Sequence, residues 1–108
     1  MKPVVRLLQA DLDVEEAIAY YAVEAPHMEL SFLDALEKTY SHIQRHPGTG
    51  SLRYSHALDI PGLRFWPCQR FPQMVFYVER DDHIALVRVL HGSRDIPASF
   101  QHSPTAEI

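Results

Sequence analysis

Cysteine is nearly absent from this chain: Cys68 is the only one in 108 residues. An internal disulfide framework is therefore excluded, and the reducing cytoplasm is the expected compartment. A lone cysteine is more often a small packed hydrophobe than a nucleophile. No apolar run is long enough to cross a bilayer, so no membrane association is expected. The opening Met1-Lys2-Pro3-Val4-Val5-Arg6-Leu7-Leu8 lacks a sustained apolar stretch with a small-residue cleavage site, so it is not read as a secretory leader. Internal repeats and low-complexity tracts are missing too. Between Asp11 and Glu37 there are eight acids and no lysine or arginine.

What is present is ordinary for one globular domain: 46% hydrophobic and 22% charged residues. The net charge of −4 hides an asymmetry. From Arg45 to Arg94 seven arginines face four acids, and His46, His56, His83 and His91 add positive charge on protonation. One face is therefore expected to be basic on an acidic molecule. The overall acidity argues against extensive phosphate contacts, and no sequence-specific DNA binding by the chain alone is expected.

Pro3 to Leu8 reads as a strand. Asp13 with Glu16 fits a helix cap and its reciprocal partner. Val14, Ala17, Ile18, Tyr21, Ala22 and Ala25 then recur at helical spacing until Pro26. A second helix is predicted from Met28 to Arg45, with Leu33, Leu36, Tyr40 and Ile43 as its stripe, flanked by Phe32, Ala35 and Thr39. His46-Pro47-Gly48-Thr49-Gly50 breaks the chain. Arg53 to Asp59 is read as a short or edge strand, and Ile60-Pro61-Gly62 as a turn. Leu63 to Arg70 is a strand interrupted by Pro67. Met74 to Glu79 and Ile84 to Leu90 are strands joined by a hairpin at Arg80-Asp81-Asp82. The last of these is almost wholly apolar and belongs in the middle of a sheet, buried on both faces. The expectation is an α+β domain over residues 1–97. Its N-terminal strand is followed by an antiparallel helical hairpin on one face of a mostly antiparallel sheet of four or five strands. Residues 98–108 are expected to form a flexible tail.

Val87-Arg88-Val89-Leu90-His91-Gly92-Ser93-Arg94-Asp95-Ile96-Pro97 is the most informative segment. An apolar strand runs into a glycine turn that carries His, Arg and Asp, and Gly92 is expected to supply a backbone angle that other residues resist. Such turns commonly hold functional groups; taken alone, the turn reads first as a capped strand end with one salt bridge, and the rest of the chain shifts the balance.

The chain resembles the ParE branch of the ParE/RelE toxin superfamily of bacterial type II toxin–antitoxin modules. Matching pieces are Ala10-Asp11-Leu12, Ser31-Phe32-Leu33-Asp34-Ala35-Leu36, His46-Pro47-Gly48-Thr49-Gly50, Gly62-Leu63-Arg64, Phe71-Pro72-Gln73-Met74-Val75-Phe76-Tyr77 and Arg88 to Pro97. They occur in family order from Val4 to Pro97. The resemblance implies a toxin that binds DNA gyrase, forms a hetero-oligomer with a small ParD-like antitoxin, and uses no metal or other cofactor. Implied target-binding residues are Arg64, His91, Arg94, Asp95 and Phe100. Exposed apolar residues to receive the antitoxin would be Leu12, Tyr20, Leu30 and Phe32. A disordered basic segment of the antitoxin would fold over them, attracted by the acidic helices.

The same superfamily contains RelE-like enzymes that cut messenger RNA in the ribosome. That chemistry needs a base, an acid and cations on the phosphate. Laid on this chain, the RelE-type lysines fall near Arg64 and Trp66, the strand arginine at Met74 and the tyrosine at Phe100. Only the final-turn arginine is kept, as Arg94, and no lysine follows Lys38. The chain is therefore expected not to be an enzyme. The alternative would use His91 as acid or base, with Arg64, Arg88 and Arg94 on phosphate. A third reading is a non-toxic member that only binds antitoxin and represses its operon. His42 and His46 lie one helical turn apart but show no further metal ligand, so a surface pair is expected. Phe65 and Trp66 are expected in the core or an interface rather than stacked on a base.

Overall fold

The computed structural model describes residues 1–101. Strand β1 (Val4–Arg6) leads into helix α1 (Leu8–Glu24), and a single 3-10 turn at Pro26–Met28 reverses the chain into α2 (Glu29–Arg45). A short helix α3 (Arg53–Ala57) precedes β2 (Leu63–Pro67), β3 (Gln73–Glu79) and β4 (Ile84–His91), and α4 (Ile96–Gln101) follows. The four strands form one sheet in the order β1-β4-β3-β2. Neighbours run antiparallel except β1, which lies parallel to β4 with Val4 opposite Ile84. This is the expected α+β architecture, with β4 central and buried from Ile84 through Leu90.

The helical hairpin covers one face of the sheet. Ala10 and Tyr21 of α1 and Phe32, Leu36 and Ile43 of α2 pack on Val75, Tyr77, Ile84, Leu86 and Val89. The buried stripe of α2 is Phe32, Leu36, Thr39 and Ile43, so the helix is turned a little from the expected stripe and leaves Leu33 and Tyr40 half-buried. Thr39 tolerates this burial because its hydroxyl donates to the Ala35 carbonyl at 2.8 Å. Cys68 is buried, which pushes its thiol pKa up against a lowering hydrogen bond from Thr39.

The opposite face is also covered. Leu63, Phe76, Val78, Val87 and Leu90 pack there against Tyr54, Leu58 and Phe65, and against Ile96 and Phe100 of α4. Two expectations change as a result. Arg53 to Ala57 is a helix, not a strand: Tyr54 and Leu58 are four apart, so one helical turn brings both onto this face. The expected boundary at Pro97 falls inside α4, whose Ile96 and Phe100 use the same spacing. The remainder of the expected tail, 102–108, lies outside the described residues.

The start of α1 is a further correction. It begins at Leu8 directly after β1, with Leu7 at its N-cap and no side-chain cap. Asp13 lies inside the helix and is buried.

The break after α2 is held by one hydroxyl. Tyr77 Oη donates to the Pro47 carbonyl at 2.7 Å and accepts the Gly50 N–H at 3.0 Å. A Cβ on Gly50 would collide with the Tyr77 ring, 2.9 Å from Cζ. Burial raises the Tyr77 pKa, opposed by the Gly50 N–H and the Arg64 guanidinium. Gly62 in the turn before β2 has φ +79, the left-handed region that glycine enters without strain.

Candidate functional site

The site grows from a bulge in β4. Its pairing with β3 shifts register between Phe76 and Tyr77, so Phe76 faces Arg88 while Tyr77 faces Leu86. Side chains therefore skip a beat: Ile84, Leu86 and Val89 point to the helical hairpin, while Val87 and Leu90 point away. Arg88 sits in the gap, which is how a bulge re-aims a side chain. Its guanidinium donates to both carboxylate oxygens of Asp13, at 2.7 and 2.9 Å, and to the Ser99 carbonyl at 2.7 Å. Asp13 also accepts the Val89 N–H at 2.9 Å, replacing a strand partner beyond the end of β1. The pair ties α1, β4 and α4 together with side chains only 5–6% exposed.

Beyond this anchor β4 surfaces at His91. Gly92 donates its N–H to the Pro72 carbonyl at 2.8 Å, and an added Cβ would stand 3.1 Å from that oxygen. Its φ is not in the left-handed region, which corrects the expectation of a special backbone angle; close approach to Pro72 is what suits glycine here. The Arg94 N–H closes the turn onto the His91 carbonyl at 3.0 Å. Both the N–H and the hydroxyl of Ser93 reach His91 Nδ1, at 3.0 and 2.7 Å. With the backbone N–H donating to it, Nδ1 acts as acceptor, which puts the neutral ring's proton on Nε2. Asp95 caps α4 by accepting the Ala98 N–H at 3.1 Å.

Arg94 is exposed and donates to Glu16 Oε1 of α1 at 2.8 Å. A cleft of about 480 Å³ opens beside this pair, lined by Glu16, Tyr20, Tyr21, Gln73, His91 and Arg94 among others. Gln73 is opposite His91 in the sheet and is 94% buried, yet its amide has one side-chain contact among the described residues, the Tyr21 hydroxyl at 3.3–3.4 Å.

The residues expected to form one target-binding set do not all meet. His91, Arg94 and Asp95 share the exposed corner. Arg64 is elsewhere: it pairs with Tyr77, which faces Leu86, and donates to the Gly50 carbonyl at 2.8 Å. Leu86 and His91 are five residues apart on β4, roughly 16 Å along the strand. Phe100 is buried against Phe76, with ring centroids 5.2 Å apart, and is removed from the contact set. The alternative ribonuclease set fails to assemble for related reasons, since Arg88 is locked on Asp13 and Arg64 is remote.

On the helical hairpin Leu12, Tyr20 and Leu30 are exposed at 44%, 60% and 79%. Phe32 is fully buried against Tyr21 and Phe71 and so presents nothing to a partner. His42 is stacked on Trp66 at 4.0 Å and 3.0 Å from the Thr49 hydroxyl. Desolvation holds its pKa below the ordinary value, with His46 and Arg45 adding to this. No cluster of three or more potential metal ligands occurs among the described residues. No helix there is long and apolar enough to cross a membrane.

Sequence reasoning missed Asp13, Glu16 and Gln73 as parts of the site. A signal for Asp13 was available. Arg88 inside an otherwise apolar strand demands a buried counter-charge, and Asp13 shares a helix face with Ala10, Ala17 and Tyr21.

A sequence model described as the ParE toxin of the type II toxin–antitoxin system parDE matches residues 4–96. No curated protein matches the chain. Among solved structures, a chain from the chromosomal ParDE TA system from P. aeruginosa superimposes with a TM-score of 0.69 at 17% identity. The match covers 84% of this chain and 96% of that one, and it shows a shared fold. The family match spans most of the sequence, including the bulged strand and the Arg94 turn: the chain belongs to the ParE toxin family of type II toxin–antitoxin systems.

Proposed function

We propose that this toxin arrests growth by binding DNA gyrase through the His91–Asp95 corner, breaks no covalent bond, and is neutralised in the cytoplasm by a ParD-like antitoxin. The observation that carries the reading is Arg94. It stands exposed on a turn fixed by the Gly92–Pro72 and Arg94–His91 backbone bonds, while the other arginines a nuclease would need are buried or distant. A planar guanidinium on a rigid turn suits two-point recognition of a carboxylate or phosphate. For the antitoxin, Leu12, Tyr20 and Leu30 supply exposed apolar surface on acidic helices. A basic segment folding over that surface gains both apolar burial and charge complementarity.

The deciding experiment is a supercoiling assay with purified gyrase. Loss of supercoiling on adding the protein, relieved by the antitoxin, is the expected result. Normal supercoiling at large toxin excess, together with cleaved transcripts in expressing cells, reverses the reading in favour of RNA cleavage. Absence of growth arrest on induction leaves only antitoxin binding and operon repression.

A further inference from the structure

The cleft beside Arg94 contains more than a cation. Three features converge there. Arg94 already holds a carboxylate, that of Glu16, at 2.8 Å, and this marks where an incoming carboxylate would sit. Gln73 presents a buried amide whose only side-chain partner among the described residues is the single hydroxyl of Tyr21. That hydroxyl serves both the amide carbonyl and the amide nitrogen, at 3.4 and 3.3 Å, bonds longer than the usual range, and Gln73 lines the cleft. The His91 ring, which also lines the cleft, has Nδ1 occupied by Ser93 and so keeps its Nε2–H as a donor. A ligand that offers this buried amide shorter, better-aligned bonds than the shared hydroxyl gains accordingly.

We propose that this cleft is a receptor for an acidic side chain and the backbone amide next to it, presented by the protein that the toxin binds. The proposal rests on the assignment of Arg94 to the target-facing corner and names the chemistry of what docks there. The incoming carboxylate takes Arg94 from Glu16. The adjoining peptide group pairs its N–H and carbonyl with the Gln73 amide. Tyr20, which is 60% exposed and edge-on to Tyr21, covers the apolar part of the incoming residue. Glu16 thus acts as an internal competitor. It sits between Leu12 and Tyr20 on one face of α1, so a partner covering those residues also covers the Glu16–Arg94 pair. The volume of about 480 Å³ accommodates one such residue with its flanking peptide groups.

The test uses the full chain in an NMR titration with acetyl-glutamate methylamide, alongside the glutamine and lysine analogues and adenosine monophosphate. The glutamate probe is expected to shift the Gln73 side-chain amide and the Arg94 Nε–H more strongly than any other probe. Glu16→Gln is expected to tighten its binding about two- to fivefold, the worth of an exposed ion pair. Gln73→Met, which keeps the buried volume, is expected to weaken it about three- to tenfold. Equal response to the glutamine analogue overturns the proposal, as does preference for adenosine monophosphate or an unchanged affinity in Glu16→Gln. Gyrase is not used, so the two readings fail separately. Probe binding without gyrase inhibition sinks the gyrase assignment alone, and gyrase inhibition without a cleft response sinks this one.

Discussion

Removing Asp13 is expected to come close to unfolding the domain. Its carboxylate accepts three hydrogen bonds, two from Arg88 and one from the Val89 N–H, in a setting almost closed to water. Asp13→Ala leaves the Arg88 cation buried without its carboxylate counter-charge and strips a β4 N–H of its acceptor. Breaking a buried pair in this way costs about 3–5 kcal/mol. A domain of this size has roughly 5–15 kcal/mol in total. The melting temperature should fall by roughly 12–25 °C, taking about 4–5 °C per kcal/mol. Arg88→Met should cost less than Asp13→Ala, because the stranded Asp13 keeps the Val89 N–H and can take up a proton, whereas a guanidinium cannot shed its charge. The double variant should lose less than the two singles added together, by about 1–3 kcal/mol of coupling. Urea unfolding followed by circular dichroism measures all three. A loss below about 1 kcal/mol in Asp13→Ala, or simple additivity in the cycle, refutes the argument that this pair holds α1, β4 and α4 in place.

Gly50→Ala should destabilise the fold by about 2 kcal/mol or more, since the new methyl displaces the Tyr77 ring and its bonds to Pro47 and Gly50; thermal unfolding beside Tyr77→Phe checks this. Arg94→Ala should abolish growth arrest while changing the melting temperature little, because its ion pair with Glu16 is exposed. Retained antitoxin binding by calorimetry would complete that pattern, and unchanged toxicity would mark the turn as structural. The folded state disfavours protonated His42, so the contribution of this residue is intact above pH 6.5 and is lost as pH falls through the ordinary pKa towards the lower folded one. Emission from Trp66, the sole tryptophan and stacked on His42, should titrate with a midpoint below 6.5, and His42→Gln should remove that transition.

The sheet is legible in the sequence because its signals are strong and local. A run from Ile84 to Leu90 that is apolar but for Arg88 belongs at the centre of a sheet, and Arg80-Asp81-Asp82 turns the chain into it. The helical hairpin is legible for the same reason, from two apolar stripes separated by Pro26. What escapes is short or non-local. A five-residue helix at Arg53–Ala57 offers little more than one repeat of its period, and Ile96 with Phe100 is a single i, i+4 pair. Asp13 matches a helix cap three residues before Glu16, and only its long-range partner Arg88 reveals the actual role. The cleft was half visible. His91 and Arg94 stand in a recognisable turn, whereas Glu16 and Gln73 arrive from α1 and β3 through tertiary packing that no spacing encodes.

The parallel pairing of β1 with β4 has a consequence for how the protein is born. Strand β1, Val4–Arg6, waits for Ile84–Leu86 before its backbone partner exists. A ribosome adding about 5–20 residues per second spends several seconds in that interval, and non-local pairing of this kind is intrinsically slow. Prematurely terminated products lacking Ile84 have no central strand on which to close. Completion of the sheet thus waits for the synthesis of β4, and fragments that stop before it lack the scaffold on which the Arg94 corner stands.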